Sequence, residues 1–131
     1  MHIGLISDIG PAATDFYSRR LITTFAGANT PLELTLVHAD ALTLLRHLAA
    51  NHAKPQVASY QRLTRRLASA GADYDVVTSI AGHFCIGNFT AESPLPVVDR
   101  LAEVSRVVER RDLLRIGMLG TRTVMESRFY G

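Results

Sequence analysis

The stretch His2–Ile22, "HIGLISDIGPAATDFYSRRLI", changes its periodicity partway along. Its first six residues, HIGLIS, are a compact apolar run of the kind that forms a buried strand. Asp8, Gly10 and Pro11 then stop it. From Pro11 onward the apolar residues Ala13, Phe16, Tyr17, Leu21 and Phe25 recur at helical spacing. A proline is suited to a first helical turn, because its missing N–H would have no partner there. A buried strand feeding a helix through a short turn is the opening of a βαβ unit, and the remainder of the chain repeats the pattern.

Leu32–His38 (LELTLVH) reads as a second strand, and Asp40 is placed to cap a helix over Ala41–His52 by accepting from otherwise orphaned N–H groups. After Pro55, the residues Val57, Tyr60, Leu63, Leu67 and Ala70 define another amphipathic helix, ended by Gly71. Tyr74–Ile80 (YDVVTSI) gives strand three and Leu95–Asp99 (LPVVD) a short strand four. Leu101, Val104, Val107 and Val108 mark a helix. Leu114–Thr121 (LRIGMLGT) gives strand five, and Arg122–Gly131 begins a helix. Alternation of this kind implies an α/β fold: a parallel sheet of four to five strands with helices on both faces and right-handed crossovers.

Ligands of such sheets sit beyond the carboxyl ends of the strands. That rule selects Ser7, Asp8 and Gly10 after strand one, His38 and Asp40 after strand two, Thr78, Ser79 and His83 after strand three, and Thr121, Arg122 and Thr123 after strand five. His38 is expected to satisfy local backbone groups. Asp8 has two readings, one as a residue that orients a reacting group or repels a second carboxylate, the other as a cap for the helix starting near Pro11. Arg122 can clamp a carboxylate through its planar fork.

Composition narrows the classes of function. The 131 residues suffice for one domain, and 47% apolar with 20% charged content is that of a globular chain. The net charge of +2 would suggest an anionic macromolecule only if the arginines clustered. Arg62, Arg65 and Arg66 fall on one expected helix and Arg106, Arg110 and Arg111 on another, among acidic neighbours, so no nucleic-acid surface is expected. The single cysteine, Cys85, can form no internal disulfide, and no other cysteine is present for a thiolate metal cage, which makes a reducing cytoplasm the expected setting. No window approaches the roughly 18 apolar residues of a membrane span, and no secretion signal is recognised.

Two segments carry a resemblance. "IGLISDIGPAATDFYSRRLI" resembles the opening of the aspartate/glutamate racemase family, and "IGMLGTRTVMESRFYG" resembles the start of that family's second domain. Between them "VVTSIAGHF" sits where the family has a Cys-Asn-Thr-x-His turn. The resemblance implies a racemase-like N-terminal α/β domain over residues 1–99. Residues 100–131 would be the crossover helix, strand and incomplete helix of a second domain that is missing. It further implies inversion at the α-carbon of a small acidic amino acid without pyridoxal phosphate, metal or other cofactor. Each domain supplies one cysteine, because inversion needs a base on one face of the carbon and an acid on the other.

Carried over by position, the resemblance implies catalytic roles at Ser79 and His83 and substrate-binding roles at Gly10, Thr14, Thr121 and Thr123; Cys85 joins the catalytic candidates by its nearness to His83, and Asp8 and Arg122 join the binding candidates by their strand-end positions. His83 matches the family histidine, and Gly10, Pro11 and Thr14 match the first turn. Thr121 and Thr123, with Ser127 and Tyr130, match the second-domain turn. Ser79 stands where the first cysteine is expected, Ile80 and Ala81 replace the Asn and Thr, and Ser7 and Asp8 replace glycines. The second cysteine would lie beyond Gly131. A serine hydroxyl is a far poorer acid or base than a thiol, and the only lysine, Lys54, is not in this turn.

Cys85 could replace the missing thiol, being two residues from His83, or it could be a small buried hydrophobe between Phe84 and Ile86. Two functions follow: a racemase-family isomerase with altered or weakened chemistry, or a noncatalytic carboxylate-binding or structural module of the same fold. The apolar residues Ile116, Met118, Leu119 and Phe129 need cover, either from the first domain's own sheet or from another copy, and a homodimer is the favoured expectation.

Overall fold

The computed structural model describes residues 1–117, 119, 120 and 125. Strand β1 spans His2–Ser7 and helix α1 Pro11–Gly27, with Pro11 at the first helical position. They are followed by β2 (Glu33–His38), α2 (Ala41–Ala49), α3 (Ala53–Ser69) and β3 (Tyr74–Val77). A 3-10 turn (Ala81–Cys85), α4 (Ile86–Glu92) and α5 (Arg100–Arg110) complete the order. Asp40 caps α2 as expected, accepting from the N–H of Thr43 at 3.0 Å.

The three strands are parallel in the order β2-β1-β3. Leaving β1, the chain crosses to one side to make β2, then returns over β1 to make β3, so successive connections lie on opposite faces. The alternation within β1 records this. Ile3 and Leu5 pack with Val76, Leu21, Phe25 and Leu34 on the α1 face. Ile6 packs with Leu44, Tyr60, Leu63, Leu67, Val77 and Phe89 on the face covered by α2, α3 and α4. Gly4 shares that second face, and a Cβ there would stand 2.7 Å from Leu67 Cδ1, so α3 lies directly against the β1 backbone.

Among the described residues the sheet has three strands, against the four to five expected. Leu95–Asp99 is no full strand. It contributes a single parallel bridge, Val97 to Asp75, through Asp75 N–H to Pro96 O (2.9 Å) and Val98 N–H to Asp75 O (2.9 Å). Pro94 and Pro96 lack the N–H groups that would extend the ladder. The described residues of the expected fifth strand are in no strand either, with Leu114 89% and Leu119 96% exposed. No neighbouring strand pairs their backbone groups. Met118 and residues 121–124 and 126–131, which include Thr121, Arg122, Thr123 and Phe129, lie outside the described residues.

Two other expectations need adjustment. Phe16, placed by its spacing on the apolar side of α1, is 61% exposed and meets Tyr17 edge-on. Strand three ends at Val77, three residues early, and the small residues Ala81 and Gly82 let the chain tighten into the 3-10 turn. Among the described residues no helix is long and apolar enough to cross a membrane, and no group of three or more His, Cys, Asp and Glu residues is placed to hold a metal.

Candidate functional site

Where the direction of the crossovers reverses, at the carboxyl ends of β1 and β3, the loops part and leave a crevice. A cleft of about 310 Å³ lies there. Ile9, Gly10, Ala13 and Tyr17 form one wall, residues 78–81 another, and Arg100, Leu119 and Gly120 close it. The N-terminal end of α1, a 17-residue helix, borders the cleft through Gly10 and Ala13, so its partial positive charge favours an anion there.

Beneath the cleft runs a buried polar layer. Thr14 Oγ1 donates to Ser7 Oγ at 2.8 Å and lies 2.8 Å from Thr78 Oγ1, which also reaches Ile6 O at 3.2 Å. These three hydroxyls tie α1 to the ends of β1 and β3. Asp8, 1% exposed, accepts from the N–H of Ile9 at 2.6 Å and from Tyr60 Oη at 3.4 Å. Burial pushes its carboxyl above the usual range, opposed by the bonds from Ile9, Ser79 and Tyr60 and by the charge of Arg100. It does not cap α1, whose N-cap is Gly10 without a side-chain bond.

Tyr60, on α3, reaches across to the turn after β3, where its hydroxyl is 3.3 Å from Gly82 O. Burial raises its phenol well above the ordinary value, so it remains a neutral donor. Gly82 is required by this approach. A Cβ there would meet Tyr60 Oη at 2.2 Å and Asp8 Oδ2 at 2.9 Å.

His83 holds the same turn from within. Its Nδ1 is 2.8 Å from Ser79 O, and since a carbonyl only accepts, Nδ1 carries the proton. Burial, and then the charge of Arg100, lowers its pKa to about 4, so the ring is neutral near pH 7 and Nε2 is a bare acceptor, buried and without a partner among the described residues. Cys85 lies in the core with Tyr60, Ile86 and Phe89. Burial pushes its thiol up to about 12, far from a thiolate.

The residues selected from sequence therefore separate by depth. Gly10 and Ser79 line the cleft, together with Thr78. Asp8, Thr14 and His83 stand behind that lining, and Cys85 belongs to the hydrophobic core. Thr121, Arg122 and Thr123 lie outside the described residues. His38 bonds locally, its Nδ1 being 2.5 Å from Ala39 O. Two residues were missed: Tyr60, read only as a core position, and Arg100. Arg100 follows Asp99 at the end of the expected fourth strand, so the carboxyl-end rule applied to LPVVD would have reached it.

Solved structures share this fold. A candidate Asp/Glu racemase from Yersinia pestis superposes with a TM-score of 0.81 at 23% identity, over 98% of this chain and 57% of its own. An aspartate racemase homologue from Pyrococcus horikoshii superposes with a TM-score of 0.77 at 20% identity and the same coverage. The chain thus spans 57% of the length of each. No protein-family model and no curated protein matches the sequence. At this identity the likeness concerns architecture, and the chain has an Asp/Glu racemase-like α/β fold.

Proposed function

We propose that this chain is the first lobe of a racemase-type cleft that takes a small carboxylic or amino acid, and that the lobe supplies binding without a thiol base. The observation that carries this reading is the composition of the crevice at β1 and β3. Ser79 occupies the strand-end position in the cleft, while Cys85 is enclosed in the core with a thiol pKa of about 12. Removing a proton from an α-carbon calls for a base matched to the task. The neutral His83, its Nδ1–H committed to Ser79 O, and a serine hydroxyl are poorly matched.

The isomerase reading keeps one specific support, the nearness of the Ser79 hydroxyl to the buried Asp8 carboxyl, whose pKa it lowers. Such a pair could pass a proton on one face of a substrate, leaving the other face to residues outside this lobe. Exchange of α-protons into deuterated water across a panel of acidic and neutral amino acids separates the readings, with calorimetry on the same panel and on the matching deaminated acids. Saturable binding without exchange supports the binding lobe. Measurable exchange returns the isomerase, and no saturable binding of any acid removes both.

A further inference from the structure

We infer that the cleft selects a monocarboxylate bearing a small apolar substituent, with Arg100 as the residue that binds the carboxylate; this deepens the binding function proposed above and rests on it. Arg100 is 8% exposed, so its guanidinium has lost most of its water. Its Nε and Nη2 atoms are both buried and, among the described residues, neither has an acceptor. Those two nitrogens share one edge of the planar fork, the edge that receives a carboxylate side-on through two parallel N–H···O bonds. The Tyr17 ring, with its centroid 4.8 Å from Arg100 Cζ, covers a face of the guanidinium and supplies no acceptor to that edge.

The neighbouring carboxylates are otherwise engaged. Asp99 Oδ1 caps α5 by accepting from the N–H groups of Leu101 (2.9 Å) and Ala102 (3.3 Å). Asp8 is held by Ile9 and Tyr60 and acts on Arg100 only through its field. Among the described residues no carboxylate forms an ion pair with Arg100. A buried charge without a counter-ion is costly, and an anion entering the cleft would supply the missing partner.

The remaining walls determine what the anion carries. Ile9, Ala13, Ile80, Ala81 and Leu119 are apolar, and among the described lining residues Arg100 is the one cation. A second carboxylate would lose its water against these side chains with no second cation among the described lining residues to pair with, whereas an apolar substituent gains by leaving water. The volume of about 310 Å³ admits only a short acid.

Calorimetry with isobutyrate, its uncharged isostere isobutyramide, and succinate tests the assignment on the wild-type chain and on Arg100→Gln, with circular dichroism to confirm folding. Isobutyrate is expected to bind saturably to the wild type, with isobutyramide and succinate weaker. The Arg100→Gln variant should bind isobutyrate weaker by about tenfold or more. Equal binding of acid and amide, or an Arg100→Gln variant that binds isobutyrate like the wild type, would overturn the role of Arg100 while the binding lobe stands. Succinate binding more tightly than isobutyrate would overturn the apolar substituent. Failure of every carboxylate to bind would remove the binding lobe and this inference together. Should Arg100→Gln not fold, the acid-to-amide ratio on the wild type decides.

Discussion

Tyr60 and Asp8, 52 residues apart in sequence, meet beneath the cleft with Tyr60 Oη 3.4 Å from Asp8 Oδ2. The contact crosses from α3 to the end of β1 and passes directly over Gly82, whose carbonyl accepts from the same hydroxyl at 3.3 Å. It fixes the floor of the site, because Gly82 lies between Ser79 in the cleft and Cys85 in the core.

Gly82→Ala should therefore be destabilising, as its methyl would stand 2.2 Å from Tyr60 Oη. Overpacking of this kind costs about 1–3 kcal/mol. Tyr60→Phe removes the obstructing oxygen, so in that background Gly82→Ala should cost less, by about 0.5 kcal/mol or more. Urea unfolding of the two single variants and the double variant measures the coupling. Strict additivity would mean that Gly82 and Tyr60 do not share this space.

Cys85 and Ser79 should differ sharply in reactivity. With a pKa of about 12, Cys85 has roughly one part in ten thousand as thiolate at pH 8, and it is 2% exposed. Native protein should resist iodoacetamide and become labelled only on unfolding. In Ser79→Cys the new thiol lines the cleft and should be labelled in the folded state, as mass spectrometry can show. Rapid labelling of Cys85 in the native wild type would place it at an accessible site instead.

Much of this architecture is legible in the sequence because burial leaves a period. Ile3, Leu5 and Ile6 announce a strand with two apolar faces, and Leu63 and Leu67 announce the face of α3 that covers one of them. The rule that ligands gather at carboxyl strand ends finds Gly10, Thr78 and Ser79 for the same reason: it depends on topology, which the alternation of elements reveals. Long-range polar geometry leaves no such trace. Nothing in the spacing of Tyr60 distinguishes a core phenol from one whose hydroxyl reaches Asp8. The expected fourth strand falls short, although LPVVD has strand-like apolar content, because Pro96 within it and Pro94 just before it deny it a ladder through missing donors.

The exposed apolar side chains of Leu113, Leu114, Ile116 and Leu119 predict self-association. Leu114 and Leu119 are 89% and 96% exposed, with Ile116 at 53%, an arrangement that favours cover by a second surface. Sedimentation velocity at micromolar concentration should show a dimer for the wild type and a monomer for the Leu114→Ser/Leu119→Ser variant. A compact wild-type monomer would contradict the expectation.

Two buried groups pull stability in opposite directions as the protein is acidified. Asp75, 0% exposed, sits on β3 with Oδ2 accepting from Thr64 Oγ1 and Oδ1 without a partner, and burial raises its pKa from 3.8 to about 6. Its folded state holds the proton more tightly than its unfolded state. The stability associated with it is therefore present below pH 3.8 and is lost as pH rises through 6. His83 is the converse, lowered from 6.5 to about 4, so its contribution is present above pH 6.5 and is lost as pH falls through 4. Each shift corresponds to something on the order of 3 kcal/mol, so between pH 6 and 4 the two nearly offset. Single variants should uncover each limb. Asp75→Asn should be more stable than the wild type near pH 7 and should lose stability on acidification to pH 4. His83→Asn, which keeps a donor for Ser79 O, should gain stability over the same interval. Urea midpoints at pH 7, 5.5 and 4 give the comparison. Parallel pH dependence in the two variants would show that these groups do not titrate as their burial requires.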